Sequence, residues 1–222
     1  MIDYEQAIKR PVWDINKFIV GVVLSFIPIV NLVVSGYGMH CASKTLKGDK
    51  SLPEWYNWVD LFIHGLVGAI VSFIYLLPSI LIVVFSIGPV FLGILGALMV
   101  GDVAAVSAGL AAAVGGFVLV LLVAFILSAI SFYLIPAALI QYVRDGYNIG
   151  SAFRFREILG NTICLDYFIV WVFVSIYCFI AFILLSFIPI VGTAVASFAV
   201  EVTSMTLFAM VYAKKTDESA LF

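Results

Sequence analysis

Charged residues are scarce in this chain of 222 residues. Lys, Arg, Asp and Glu together make up 11% of the sequence, whereas 64% is hydrophobic and the mean hydropathy is +1.22. A soluble domain is typically about one quarter charged. So small a globule cannot bury this apolar excess. The composition therefore excludes a soluble fold and predicts a protein whose surface faces lipid.

Cysteine and histidine are also rare, with three and two residues respectively. Cys41, Cys164 and Cys178 lie in apolar context without a Cys-x-x-Cys spacing, which indicates small buried hydrophobes rather than disulfides or metal ligands. His64 follows Asp60 by four residues, a spacing that lets them pair along a helix, but two ligands are too few for a metal site. The sequence therefore predicts no metal site and no cofactor.

The motifs of the common enzyme classes are absent from the sequence. It contains no Gly-x-Ser-x-Gly, no His-Glu-x-x-His and no Walker A motif. Its 11 basic residues form no cluster typical of nucleic-acid binding, and its first residues do not form a cleavable signal peptide. We therefore expect neither an enzyme nor a nucleic-acid-binding protein.

What the sequence does contain is a series of long apolar runs. A spanning helix needs about 20 apolar residues, and runs this continuous favour helices over barrel strands. The predicted fold is an all-α polytopic membrane bundle with six main spans. These spans are expected at residues 13–29, 31–46, 65–87, 117–143, 165–187 and 193–213.

Residues 90–116 differ from the other apolar runs because they are rich in Gly and Ala and carry a single charge, Asp102. Small residues recur four positions apart, a spacing that lets helix backbones approach closely in lipid. Each arm is short for a span, so the segment predicts an inserted hairpin of two short helices that also mediates homo-oligomer formation. Asp102, at the predicted tip, either faces a pore entrance or caps a helix.

Three short amphipathic helices are predicted on the membrane surface, at residues 3–10, 52–62 and 151–159. In the first, Tyr4, Ala7 and Ile8 form the apolar face. In the second, Ser51 and Glu54 have the spacing of a capping box. These helices place the chain in contact with the lipid bilayer along one leaflet.

Aromatic and basic residues accompany these surface helices. Trp13, Trp55 and Trp58 are expected at the headgroup level, where tryptophan is enriched. Lys50, Arg154 and Arg156 either contact anionic lipid headgroups or form a plain solvated rim.

The hexapeptide Ser-Phe-Ile-Pro-Ile-Val occurs twice, at residues 25–30 and 186–191. We interpret each copy as the turn of a membrane hairpin. The surrounding similarity predicts a single membrane domain built from three repeat units, at residues 3–47, 52–144 (with the inserted hairpin) and 151–215.

Counting crossings from this repeat places all 11 Lys and Arg residues on the same side of the membrane. The positive-inside rule assigns that side to the cytoplasm. The sequence therefore predicts a multi-pass protein of the cell membrane with both termini in the cytoplasm.

Glu201 is the most informative ionisable residue, because it lies halfway along an apolar span, where a charge is costly. The repeat aligns it with His40, which predicts two titratable groups at the same membrane depth, as in transporters built from repeats. Either the two residues handle a proton or another cation, or Glu201 is a hydrogen-bonded packing residue and His40 a packing histidine.

Three segments carry a resemblance to a known family: Leu52-Pro53-Glu54-Trp55 with Trp58 following, Tyr75-Leu76-Leu77-Pro78, and the C-terminal Ile-Pro-Ile-Val-Gly. They resemble an uncharacterised, chiefly archaeal membrane-protein family, the domain-of-unknown-function family numbered 4013. It implies a polytopic fold over nearly the whole chain. It implies no activity and no site residue.

Two functions remain open from the sequence alone. The first is a pore or transport-type permeation protein that acts as a homo-oligomer. The second is a membrane-organising or lipid-binding scaffold without transport. They differ in whether Glu201, His40 or Asp102 lines a hydrated path.

Overall fold

The computed structural model describes residues 2–100, 103–188 and 191–219, and the regular structure in these ranges is helical, without a strand. Short 3-10 turns at Arg10–Val12 and Ile149–Phe153 accompany eight α-helices. The α-helices are α1 (Tyr4–Lys9), α2 (Ile15–Phe26), α3 (Asn31–Leu46), α4 (Trp58–Val100), α5 (Val103–Arg144), α6 (Phe155–Thr162), α7 (Leu165–Leu185) and α8 (Val191–Ser219).

The chain divides into two compact units. Unit 1 comprises residues 1–71 and 134–222, and unit 2 comprises residues 72–133. In unit 1, α8 is the central helix and packs against α1, α2, α3 and α7. Tyr37 and Phe198 are fully buried between these helices, and the Phe198 ring packs directly on Gly21 of α2.

Unit 2 contains the later part of α4 and the earlier part of α5. The Ser131 hydroxyl donates a hydrogen bond of 2.7 Å to the Tyr75 backbone carbonyl and so joins the two helices. Most of the large apolar side chains in this unit are exposed, including Phe85 and Phe125 at more than 70%. Such a surface is stable only in contact with an apolar medium.

Four helices of the described chain are long and apolar enough to cross a membrane: residues 58–96, 106–144, 165–185 and 191–216. The predicted all-α membrane class is therefore supported. The predicted number of six spans is not. With 12 and 16 residues, α2 and α3 extend only about 18 and 24 Å at 1.5 Å per residue. The hydrocarbon core is about 30 Å thick.

The prediction of two separate short helices within residues 90–116 is wrong. α4 continues through Pro78 and Pro89 to Val100, and α5 runs from Val103 through Pro136. A proline inside a helix removes one backbone hydrogen bond, whereas ending the helix in lipid would leave several groups without partners. A helix that continues through proline therefore costs less free energy in lipid than one that ends there. The predicted tip at residues 101–102 lies outside the described residues.

The predicted surface helix at residues 52–62 is also wrong in its first half, because α4 begins only at Trp58. The carbonyl groups of this segment serve other elements instead. The Ser51 carbonyl accepts a hydrogen bond from Arg10, and the Pro53 carbonyl accepts one from the Tyr37 hydroxyl. Ser51 and Glu54 therefore do not form a capping box.

The other two surface segments are helical but differ in detail from the prediction. α1 is capped by Asp3, yet Ile8, assigned to its apolar face, is 39% exposed. Residues 151–159 are not one helix, because a 3-10 turn ends at Phe153 and α6 begins at Phe155.

The turn predicted at the first hexapeptide is confirmed, since α2 ends at Phe26 and α3 begins at Asn31. Within the turn Ile29 has a φ of 72°. The second copy falls between α7 and α8, where residues 189–190 lie outside the described residues.

Two glycines allow α3 and α4 to cross at close range. An ideal Cβ on Gly36 would lie 1.9 Å from the Leu61 carbonyl oxygen, and one on Gly65 would lie 1.8 Å from the Leu32 carbonyl oxygen. Each helix therefore presents a glycine to the other's backbone. Small residues at helix crossings permit this approach in membrane proteins.

Candidate functional site

Glu201 lies in the middle of α8 and is partly buried. Its carboxyl group packs against α3, where an ideal Cβ on Gly38 would lie only 2.7 Å from Oε1. Within the described part of the chain the carboxyl group makes no hydrogen bond and no ion pair. Ser204 bonds only to the Glu201 backbone carbonyl. The carboxyl group of Glu201 therefore belongs to an apolar helix and occupies the space that a side chain at Gly38 of α3 would fill.

His40 belongs to a different cluster. Its ring lies 5.5 Å from that of His64 and 5.7 Å from that of Tyr147, measured between centroids. His64 stacks on Tyr147 at 3.9 Å, and its Nδ1 lies 2.9 Å from the Tyr142 hydroxyl. Both histidines of the chain are therefore next to each other, with two tyrosines around them.

The structure places Glu201 and His40 on different sides of α3. Gly38, which contacts Glu201, and His40 are two residues apart, so their Cβ directions differ by roughly 200° and their positions along the axis by about 3 Å. The two groups lie at nearly the same level of α3 but do not face each other. A direct proton transfer between them would have to pass through the helix.

Arg10 is a functional candidate that the sequence interpretation missed, since it counted this residue only as a surface charge. Its side chain is fully buried. Nη1 donates to the Thr45 hydroxyl at 2.5 Å and to the Thr206 hydroxyl at 2.9 Å, and Nη2 donates to the Ser51 carbonyl at 2.9 Å. Within the described residues no carboxylate pairs with Arg10, and Nε has no hydrogen-bond partner.

This guanidinium group joins the N-terminal segment to α3, to α8 and to the segment before α4. A nearby bond from the Thr203 hydroxyl to the Ala7 carbonyl, 3.2 Å long, fastens the same segment to α8. Helical spacing was an available signal, because Ala7, Arg10 and Pro11 are three and four residues apart and all are buried. Arg10 therefore lies on the buried face of the segment.

The three tryptophans predicted at the headgroup level have different environments. Trp13 and Trp58 are 49% and 46% exposed. Trp55 is partly buried, stacks on Tyr37 at 3.9 Å and donates from Nε1 to the Lys17 carbonyl. Trp55 therefore packs in the protein interior, whereas Trp13 and Trp58 are accessible.

The three basic residues predicted at the lipid surface also differ. Arg154 forms ion pairs with Asp145 at 3.0 Å and with Glu157 at 3.7 Å, so much of its charge is neutralised. Lys50 and Arg156 are exposed and form no ion pair with the described residues. Asp102 lies outside the described residues, so the structure does not place this predicted site.

Lys50 lines a cavity of about 660 Å³, together with the first residues of α1 and Met210 of α8. The neighbouring Asp49 also lines it. Hydrogen bonds from the Ser51 backbone N–H and hydroxyl, and the nearby Lys44, lower the pKa of Asp49 to about 2. The charged side chains that line the cavity are the carboxylates of Asp3, Glu5 and Asp49 and the ammonium group of Lys50.

Comparison with known proteins gives one match. The family model described as a protein of unknown function, DUF4013, matches residues 20–190, which is more than half of the chain. No curated protein and no solved structure matches the chain. The matched range contains the histidine–tyrosine cluster, whereas Arg10 and Glu201 lie outside it. The chain belongs to the DUF4013 family, a group of proteins of unknown function.

Proposed function

We propose that this protein forms a permeation path in the membrane and that Glu201 carries the proton or cation in transit. The observation that carries the proposal is the carboxyl group of Glu201, which has no hydrogen bond or ion pair within the described residues and lies in an apolar helix against Gly38. Ionisable residues inside membrane helices commonly mark substrate or proton pathways. No catalytic role is proposed for any residue.

The oligomeric state, the orientation and the repeat in this proposal rest on the amino-acid sequence. The protein acts as a homo-oligomer through its small-residue segments, with both termini in the cytoplasm and hairpins repeated along the chain. Support for the repeat comes from the hexapeptide Ser-Phe-Ile-Pro-Ile-Val, which occurs at residues 25–30 and 186–191.

A flux measurement with purified protein in liposomes tests the role of Glu201. We expect the wild-type protein to dissipate an imposed pH or cation gradient, and Glu201→Gln to reduce the rate at least about tenfold, because the amide cannot exchange a proton. Glu5→Gln is the matched control, since Glu5 is exposed and lies in α1. Equal rates for wild type and Glu201→Gln would remove Glu201 from the mechanism.

The second candidate function is a lipid-binding scaffold, and a different observation favours it. Lys50 and Arg156 are exposed without ion pairs in the described chain, which leaves both charges available to an anionic membrane surface. A basic residue near an anionic surface contributes about 1 kcal/mol to binding.

Lipid selectivity tests the scaffold function. We expect the double variant Lys50→Gln/Arg156→Gln to lose most of its preference for anionic over zwitterionic lipids, measured as bound lipid in native mass spectrometry. Arg154→Gln should have a smaller effect, because Arg154 is already paired with Asp145 and Glu157. A wild-type protein without any anionic preference, or equal losses in both variants, would contradict this function.

A further inference from the structure

We propose that His40 and His64 form a binding site for a divalent first-row transition metal ion, such as Zn²⁺, Co²⁺ or Ni²⁺. The two rings come from different helices, α3 and α4, and lie within unit 1. They are the two histidines of the sequence, and both are partly buried. Neutral imidazole suits these ions, whereas Mg²⁺ and Ca²⁺ prefer oxygen ligands.

The separation of the two rings fits a shared metal ion. A ring nitrogen binds zinc at about 2.0–2.1 Å, which places the ring centroid about 3.2 Å from the metal, so two rings at a tetrahedral angle lie about 5.2 Å apart. The observed centroid separation is 5.5 Å, with an angle of 46° between the planes. The separation of the two rings is therefore compatible with one shared ion.

The surroundings of His64 orient it as they would a metal ligand. Its Nδ1 lies 2.9 Å from the Tyr142 hydroxyl oxygen, which leaves Nε2 for the metal. A bound metal at Nε2 requires a proton on Nδ1, and the hydroxyl oxygen then accepts its hydrogen bond. Metal-binding histidines usually donate a hydrogen bond of this kind from the other ring nitrogen, and it fixes the tautomer.

Tyr147 fixes the plane of the His64 ring by stacking on it at 3.9 Å with an angle of 22°. Tyr147 is itself held by a hydrogen bond with Ser43 and adopts a φ of 64°, a left-handed conformation that is uncommon outside glycine. This conformation belongs to the turn that ends α5, in which the Tyr147 backbone N–H donates to the Tyr142 carbonyl at 2.9 Å. His40 makes no hydrogen bond with the described residues, so its nitrogens are available.

The charges around the pair partly balance. Asp60, one turn before His64, acts on both histidines and favours a cation, whereas Lys47 acts on His40 and opposes one. No third His, Cys, Asp or Glu completes a ligand group in the described part of the chain. Water or another molecule would therefore fill the remaining positions, and the affinity is expected to be lower than that of a closed four-ligand site.

Metal titration of the full-length protein in detergent tests the proposal. The protein carries no histidine tag, and all three cysteines are replaced by serine or alanine to remove thiol ligands. We expect one Co²⁺ or Zn²⁺ per chain, with Co²⁺ giving a visible absorption band, and at least about tenfold weaker binding in His40→Gln and in His64→Gln. Binding should weaken as the pH falls, because protons compete with the metal ion for the imidazole nitrogens.

Tyr142→Phe provides the second readout, because it keeps both ligands and removes only the hydrogen bond to Nδ1. We expect its metal affinity to fall while the bound Co²⁺ keeps the same spectrum. Ni²⁺ should also raise the thermal unfolding midpoint of the wild type but not of the His40→Gln/His64→Gln double variant. Equal binding by the wild type and the double variant, or less than one ion per two chains, would overturn the proposal.

Discussion

Replacing Arg10 with methionine is expected to lower the free energy of unfolding by roughly 2–4 kcal/mol. A hydrogen bond to a charged group contributes about 1.5–3 kcal/mol, and the variant leaves the Thr45 and Thr206 hydroxyls and the Ser51 carbonyl without this donor. Relief of the buried charge offsets part of the loss, since a buried ion carries a desolvation cost. Unfolding in mixed micelles, followed by tryptophan fluorescence, measures the difference.

Two further variants separate the role of the charge from that of the side-chain shape. Arg10→Lys keeps the charge, but its three donors all sit on one nitrogen, whereas the guanidinium reaches Thr45 and Thr206 with Nη1 and Ser51 with Nη2. We therefore expect Arg10→Lys to be nearly as unstable as Arg10→Met. Lys9→Met changes the adjacent exposed residue and should alter stability by less than about 0.5 kcal/mol. A stable Arg10→Met variant would show that the guanidinium bonds are not required for folding.

Gly65→Ala is expected to destabilise the protein by about 3 kcal/mol. The new Cβ would lie 1.8 Å from the Leu32 carbonyl oxygen, whereas ordinary contacts of a Cβ begin at 3.4 Å. Because the obstacle is backbone, α3 and α4 must move apart, and overpacking of this kind typically costs about 1–3 kcal/mol or more. The same unfolding measurement in mixed micelles gives the value.

The same substitution elsewhere in α4 provides the control. Gly88 has no atom within 4 Å of its ideal Cβ, so Gly88→Ala should be neutral or stabilising by up to about 1 kcal/mol. Gly36→Ala should also force α3 and α4 apart, because its new Cβ would meet the Leu61 carbonyl oxygen of α4. The Gly36→Ala/Gly65→Ala double variant should therefore lose less than the sum of its single variants. Additive losses would indicate two independent contacts rather than one crossing.

Composition and the apolar runs were sufficient to predict the helical membrane class, because these depend on the medium around the chain rather than on tertiary contacts. The first hexapeptide likewise marked a local turn, and α3 runs over the predicted residues 31–46. Pro89 misled the prediction, since proline is a helix breaker in water and the predicted span 65–87 ended just before it, whereas the predicted spans ran through Pro78 and Pro136 as the helices do. In an apolar medium the remaining backbone hydrogen bonds outweigh the one that proline removes.

The candidate sites were harder to predict because their geometry depends on distant residues. Arg10 bonds to α8, and His64 lies beside Tyr142, at sequence separations of 196 and 78. The aligned repeat predicts the same position along the membrane normal for Glu201 and His40. In the structure, Glu201 contacts α3 at Gly38, only two residues from His40. The repeat does not predict on which side of α3 each residue lies, and the two residues lie on different sides.

The hydrogen bond between Arg10 and Thr206 also has a consequence for biosynthesis. Its two partners are 196 residues apart, so at about 5–20 residues per second a ribosome makes the second roughly 10–40 s after the first. During this interval Arg10 can bond to Thr45 and Ser51 but has no acceptor on α8. The docking of Arg10 on α8 is therefore a late step, and we expect the segment around Arg10 to become fully resistant to protease only after α8 has been made.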